Sequence, residues 1–122
     1  MAVERISLGA LNKLLTGEAS PAQCVIKFYS NSCDLCHALS EYYVDISREY
    51  KDLHFFAFNV EDHPTLLEDL GINGVPTITF LEAGNADAKL KILDDPDIPH
   101  EKTWYTTKYI KNFIDKETKS ND

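Results

Sequence analysis

The sequence predicts an α/β domain: a central mixed sheet of about four strands flanked by helices, with a helix first. Three observations carry this. Helix-period and β-branched segments alternate along one short chain. The early strands are separated by helical crossovers, which parallel pairing requires. The last two are separated by a short turn at Gly84-Asn85, which suits antiparallel neighbours.

The elements follow in order. Leu8, Leu11, Leu14 and Leu15 recur at three- and four-residue spacing behind Ser7, predicting a first helix over 7–17 with Ser7 as its cap. Gly17 to Pro21 breaks it. "CVIKFYS" (24–30) is β-branched and aromatic and predicts a buried strand. Leu35, Ala38, Leu39, Tyr42, Ile46 and Tyr50 mark one face of a long helix over 34–50. "HFFAFNV" (54–60) is again a strand. "EDHPTLLEDLG" reads as a short helix, with Pro64 in its first turn, Glu61 and Asp62 at its positive end and Gly71 just past its C-terminus. "VPTITFLE" (75–82) and "AKLKIL" (88–93) are the final strands, and "DDPDIPHEK" (94–102) is an acidic loop. From Thr103 onward, Tyr109, Ile110, Phe113 and Ile114 share one side of a last helix. The domain is expected over 1–116, with 117–122 a frayed tail that has no apolar residue.

A chain of 122 residues with 43% hydrophobic and 26% charged residues has material for one core. Its formal charge of −8 argues against nucleic acid or an anionic membrane as partner. The first 23 residues show neither a signal peptide nor an apolar run long enough to span a membrane, so a cytoplasmic location is expected. In a reducing compartment, three cysteines are more readily catalytic or metal-binding than structural. Cys24, nine positions before Cys33 and inside a predicted strand, is expected to be an ordinary buried cysteine.

"CDLCH" at 33–37 admits three chemistries: a redox dithiol, a c-type haem attachment through Cys33, Cys36 and His37, or half of a zinc site. Its position bears on the choice, because both cysteines fall where a strand hands over to a helix. First-turn N–H groups and the helix dipole stabilise negative charge, which lowers a thiol pKa from its free value of about 8.5. The first cysteine would be the more exposed, so Cys33 is the candidate nucleophile. Cys36, one turn further on and facing inward, is the candidate resolving thiol.

The strand "VIKFYS", the C-x-x-C opening a long helix, the strand "FAFNVEDHP" and then "LGINGVPTITF" together resemble the thioredoxin family over about residues 22–93, with "YIKNFID" in the last helix. The resemblance implies a thioredoxin-like fold and a cis Pro76, forty positions after Cys36, lying beside the dithiol. It implies that Val75, with Gly74 and Pro76, offers backbone to an extended client segment as an added strand. The implied activity is thiol–disulfide oxidoreduction on disulfide-containing client proteins, with no metal or organic cofactor. Electrons would come from a reductase or small thiol that the sequence does not identify. Haem explains neither the strand before the motif nor the Gly-Val-Pro after it. Zinc lacks an evident fourth ligand, and haem lacks its usual second axial Met, since Met1 is the only one, although His54, His63 or His100 could substitute.

Four departures from the family pattern bear on the site. Asp34-Leu35 replaces the usual Gly-Pro, and a carboxylate beside Cys33 disfavours its thiolate. Ser32 stands in place of a tryptophan on the docking surface. Lys27 occupies the position of a buried acid and would favour a Cys36 thiolate, unless it snorkels to the surface. The 94–102 loop replaces a short turn; a solvated connection is the favoured reading, an edge of the substrate surface the alternative. His37 is expected near the thiols, where its imidazole would tune them, and Tyr29 could shield the sulfurs. These departures also sustain a rival reading, a redox-inactive binding module on the same fold.

Overall fold

In the computed structural model, which describes residues 3–84 and 89–120, the chain opens with a strand before its first helix. This strand, β1 (Val3–Arg5), pairs in parallel with residues 55–57. Three residues with a single apolar side chain offer no period to read, so the expected helix-first order and four strands become strand-first order and five strands. α1 (Leu8–Thr16) follows, and the Ser7 hydroxyl accepts the Ala10 N–H at 3.2 Å. β2 (Ala22–Tyr29) leads into α2 (Asp34–Glu49), which crosses back to β3 (His54–Asn59).

The short helix expected over 61–71 is interrupted. A 3-10 turn at Val60–Asp62 is separated from α3 (Leu66–Leu70) by His63, which adopts φ −159° and ψ 84°. The residue before a proline is driven out of the helical region, and here that residue precedes Pro64. β4 (Thr77–Ala83) pairs antiparallel with β2, and β5 (Lys91–Ile92) pairs antiparallel with β4. Asn85 and Ala88, which the sequence places in the turn and in the last strand, lie outside the described residues.

α4 (Thr107–Ser120) starts later than the expected Thr103. His100 and Trp104 each donate a backbone N–H to the other's carbonyl at 3.0 Å, and Trp104 takes φ 67°, so this stretch is a closed turn and not helix. The Thr106 hydroxyl then accepts the Tyr109 N–H at 3.2 Å and starts the helix. Residues 117–120, assigned to the tail by sequence, continue α4, and 121–122 are outside the described residues. Among the described residues no helix is long and apolar enough to cross a membrane.

The sheet order is β1-β3-β2-β4-β5, with β2 central. Strand alternation assigns the two cores. Cys24, Ile26 and Phe28 pack on one face with Leu11, Leu14, Leu66 and Ile72. Val25 packs on the other with Leu39, Tyr43, Ile46, Ile110 and Ile114 from α2 and α4. The buried Tyr43 hydroxyl lies 2.7 Å from the Phe56 carbonyl and 3.1 Å from that of Val25, so α2 is tied to two neighbouring strands at once.

Gly84 ends β4 at φ +87°, and a Cβ there would sit 2.6 Å from Pro21 Cα and 2.7 Å from Pro21 N. Gly74, by contrast, has open space where its Cβ would be. We expect Gly84→Ala to lower unfolding free energy by about 2–3 kcal/mol. Gly74→Ala should change it by less than about 0.5 kcal/mol. Urea denaturation of the two variants checks both, and equal effects would contradict this account of Gly84.

Candidate active site

β2 delivers the chain to the N-terminus of α2, and the two cysteines occupy that junction. Cys33 is the N-cap residue, with its Sγ accepting the Cys36 N–H at 3.1 Å. The two form a disulfide, their Cα atoms 5.2 Å apart. Cys36 is 2% exposed while Cys33 is partly exposed, so an incoming sulfur can reach Cys33 and not Cys36. Once reduced, a sulfur capping this helix faces first-turn N–H groups, an environment that favours thiolate. Asp34 sits in the same first turn, exposed, and opposes that effect.

The loop entering the motif is anchored by residues the sequence reading did not single out. Glu61 accepts hydrogen bonds from the Ser30 hydroxyl (3.0 Å) and the Asn31 N–H. Asn59, 1% exposed, donates to the Asn31 side-chain oxygen at 3.1 Å and accepts the Glu61 N–H at 3.0 Å. Ser32 is exposed and bonds back to Ser30, whose hydroxyl accepts its N–H at 3.2 Å. The His37 ring, expected near the thiols, is engaged by the loop: Nε2 lies 2.6 Å from the Asn31 carbonyl. A carbonyl only accepts, so Nε2 carries the proton in this contact. Only the short strand-end asparagine and the acid after it hinted at such a role, since strand ends favour groups that bond neighbouring backbone.

Lys27 does not snorkel. It is 5% exposed, on the α2 face of β2, with Nζ 5.0 Å from the Tyr43 ring centroid and 5.5 Å from that of Tyr29. Its one hydrogen-bond partner among the described residues is Ser40, at 3.3 Å, and Ser40 in turn donates to the Cys36 carbonyl at 3.1 Å. Burial holds the Lys27 ammonium down at a pKa of about 8. Tyr29, expected as a shield for the sulfurs, has its ring against Lys27. Cys24 is a free thiol 1% exposed, and burial pushes its pKa up to about 11, so it is inert beside the pair.

A groove of about 480 Å³ runs beside the motif, lined by Leu35 from between the cysteines and by Gly74, Val75, Pro76 and Thr77. The Val75–Pro76 peptide bond is cis, and Val75 lies before the first laddered residue of β4, Thr77. Ser32 does not line the groove. Asp94 and Asp95 of the 94–102 loop, and Trp104 just beyond it, also line the groove. The Trp104 Nε1 donates to Asp95 at 3.0 Å, and the Tyr109 hydroxyl donates to the Asp94 carbonyl at 3.1 Å, so this part of the lining is held in place. Among the described residues no group of three or more His, Cys, Asp or Glu is arranged to hold a metal ion.

Comparison with known proteins accords with this geometry. The profile of the family described as Thioredoxin matches residues 11–96. The chloroplastic thioredoxin-like protein HCF164 of Arabidopsis thaliana is 29% identical over 98 residues, covering 70% of this chain and 38% of its own. A thioredoxin of Geodia cydonium is 28% identical over 69 residues, covering 57% of this chain and 65% of its own. The chain thus spans less than two thirds of the length of these curated relatives. Among solved structures, the Trx4 domain of ERdj5 superposes with a TM-score of 0.75 at 14% identity over 98% of both chains. Chloroplastic thioredoxin z superposes at 0.68 with 18% identity, over 95% of this chain and 94% of its own. At such identities the likeness speaks for the fold, whereas the profile match spans most of the chain, from within α1 to just beyond β5, and includes both cysteines and Pro76. The chain belongs to the thioredoxin family.

Proposed function

We propose that this chain is a thiol–disulfide oxidoreductase that reduces disulfides in protein clients through Cys33 and Cys36. The observation that carries the reading is the disulfide at the helix N-terminus, with one sulfur reachable and the other buried. In the reductive direction the Cys33 thiolate attacks a client disulfide, forming a mixed disulfide and releasing one client sulfur as a thiolate that takes up a proton. Cys36 then attacks Cys33 Sγ; the bond to the client breaks and its second sulfur leaves as a thiol. Two electrons have passed to the client, and a reductase or small thiol restores the pair.

The groove supplies the place for the client. An extended segment laid along Gly74–Pro76 meets Val75 backbone on one side and Leu35 beside the sulfurs. Asp94 and Asp95 line the same groove, and the lining contains no lysine or arginine. With a formal charge of −8 on the whole chain, clients carrying Lys or Arg next to the reacting cysteine are favoured over acidic ones. A cytoplasmic setting, which would keep the pair reduced, is part of this proposal.

Two measurements test it. Reduction of insulin by dithiothreitol should be accelerated by the protein and not by Cys33→Ser, and Cys36→Ser should accumulate clients as mixed disulfides through Cys33. A pair that forms no reversible disulfide in any glutathione buffer would overturn the redox reading and leave a binding module. For client charge, disulfide peptides differing only in Lys or Glu beside the cysteine should react with rates about threefold or more apart, Lys faster, at low salt. Replacing both Asp94 and Asp95 by Asn should bring the two rates together, as expected for exposed charges worth up to about 1 kcal/mol. A preference that survives the double variant would locate client selection elsewhere.

A further inference from the structure

Lys27 is the one buried charged side chain among the described residues, and no carboxylate pairs with it there. Taking an ammonium out of water without a counter-ion is costly. Among the described residues two ring faces and one hydroxyl compensate it. Its in-register neighbours are Ala57 on β3 and Ile78 on β4, neither charged. The titratable groups facing it are the Tyr29 and Tyr43 phenols and, across Ser40, the first turn of α2 that carries Cys36. Nζ therefore lies within two hydrogen-bond lengths of the Cys36 carbonyl, and Lys27 and Cys36 are both buried.

We infer that Lys27 is a positioning charge for the resolving sulfur: when the disulfide opens, the Lys27 ammonium holds Cys36 as a thiolate and makes the pair easier to reduce. The inference rests on the proposed dithiol chemistry and adds a direction to it. A glutathione thiolate attacks Cys33 Sγ and forms a mixed disulfide there. The bonding pair of the broken Cys33–Cys36 bond passes to Cys36 Sγ, which stays anionic beside the ammonium and takes no proton from water. A second glutathione thiolate then displaces Cys33 and leaves as glutathione disulfide. The reverse sequence runs through the same thiolate, which attacks Cys33 Sγ. In the oxidised protein the amine is mostly charged at neutral pH, with a pKa of about 8, and a thiolate appearing nearby favours the charged form further. Reduction thus supplies a counter-ion that Lys27 lacks among the described residues of the oxidised protein.

The experiment compares wild type, Lys27→Met and Lys27→Arg in glutathione redox buffers at pH 7. Lys27→Met should shift the equilibrium toward the disulfide, by up to about tenfold for one pKa unit on Cys36, the full factor appearing once the pH exceeds the Cys36 pKa in both proteins. Lys27→Arg, which keeps the charge, should stay within about threefold of wild type. A second readout needs no redox cycling: the Cβ chemical shift of Cys36, followed against pH in a Cys33→Ser background, should titrate about one unit higher when Lys27 is Met. Lys27→Gln serves in both measurements if the Met variant does not fold. Equilibrium constants within twofold and an unmoved Cys36 titration would overturn the inference while leaving the dithiol chemistry intact. Failure of the wild-type pair to cycle would instead sink the oxidoreductase reading, and the Cys36 titration would still decide the role of Lys27.

Discussion

The hydrogen-bond ladders on both edges of β2 are the constraint on which the site depends. Seven residues pair with β4 and six with β3, in register. A strand held on two sides cannot slip without breaking both ladders, and a slip of one residue would turn every side chain to the opposite face. That register decides that Cys24, Ile26 and Phe28 fill one core, and that Val25 and Lys27 look toward α2. It also decides where the chain leaves the sheet, and hence where the loop from Ser30 to Cys33 must turn. Tyr43 completes the arrangement by fastening the middle of α2 to the carbonyls of β2 and β3. The position of the sulfurs is therefore a property of the sheet before it is a property of the motif.

Charge around the sulfurs is divided by depth. Asp34 is solvated and lies at the mouth, while Lys27 lies beneath and out of water. Two unit charges about 4 Å apart interact by about 1 kcal/mol through water and by about 4 kcal/mol at the effective dielectric near a protein surface. Exposed charge is screened further by salt. Of two groups with opposite tendencies, the buried one has the longer electrostatic reach. The His37 ring above is turned to the Asn31 carbonyl.

Periodicity is sufficient for the first two helices, the three long strands and the dithiol at a strand-to-helix junction, because those features are written in neighbouring residues. The inward direction of Lys27 is also readable in principle, since it shares a strand face with Val25 and Tyr29 in a central strand, yet strand alternation alone does not separate burial from snorkelling. β1 escaped notice because its stability comes from pairing with β3 and not from its own three residues. The anchoring of Asn31 by Asn59 and Glu61 joins residues about thirty positions apart, so no local pattern encodes it. The late start of α4 was hidden for a similar reason. Helical spacing continues backward from Tyr109 toward Thr103, but the His100–Trp104 backbone pair takes those residues for a turn.

Trp104 has one further consequence. It is the sole tryptophan of the chain, and it lines the groove that Leu35 also lines, with its indole N–H held by Asp95. All indole emission therefore originates at the surface proposed to receive clients. Hydrogen bonding and solvent access set the colour and yield of that emission, so the protein carries a built-in optical gauge of what occupies the groove, and no introduced label is needed to watch a partner arrive.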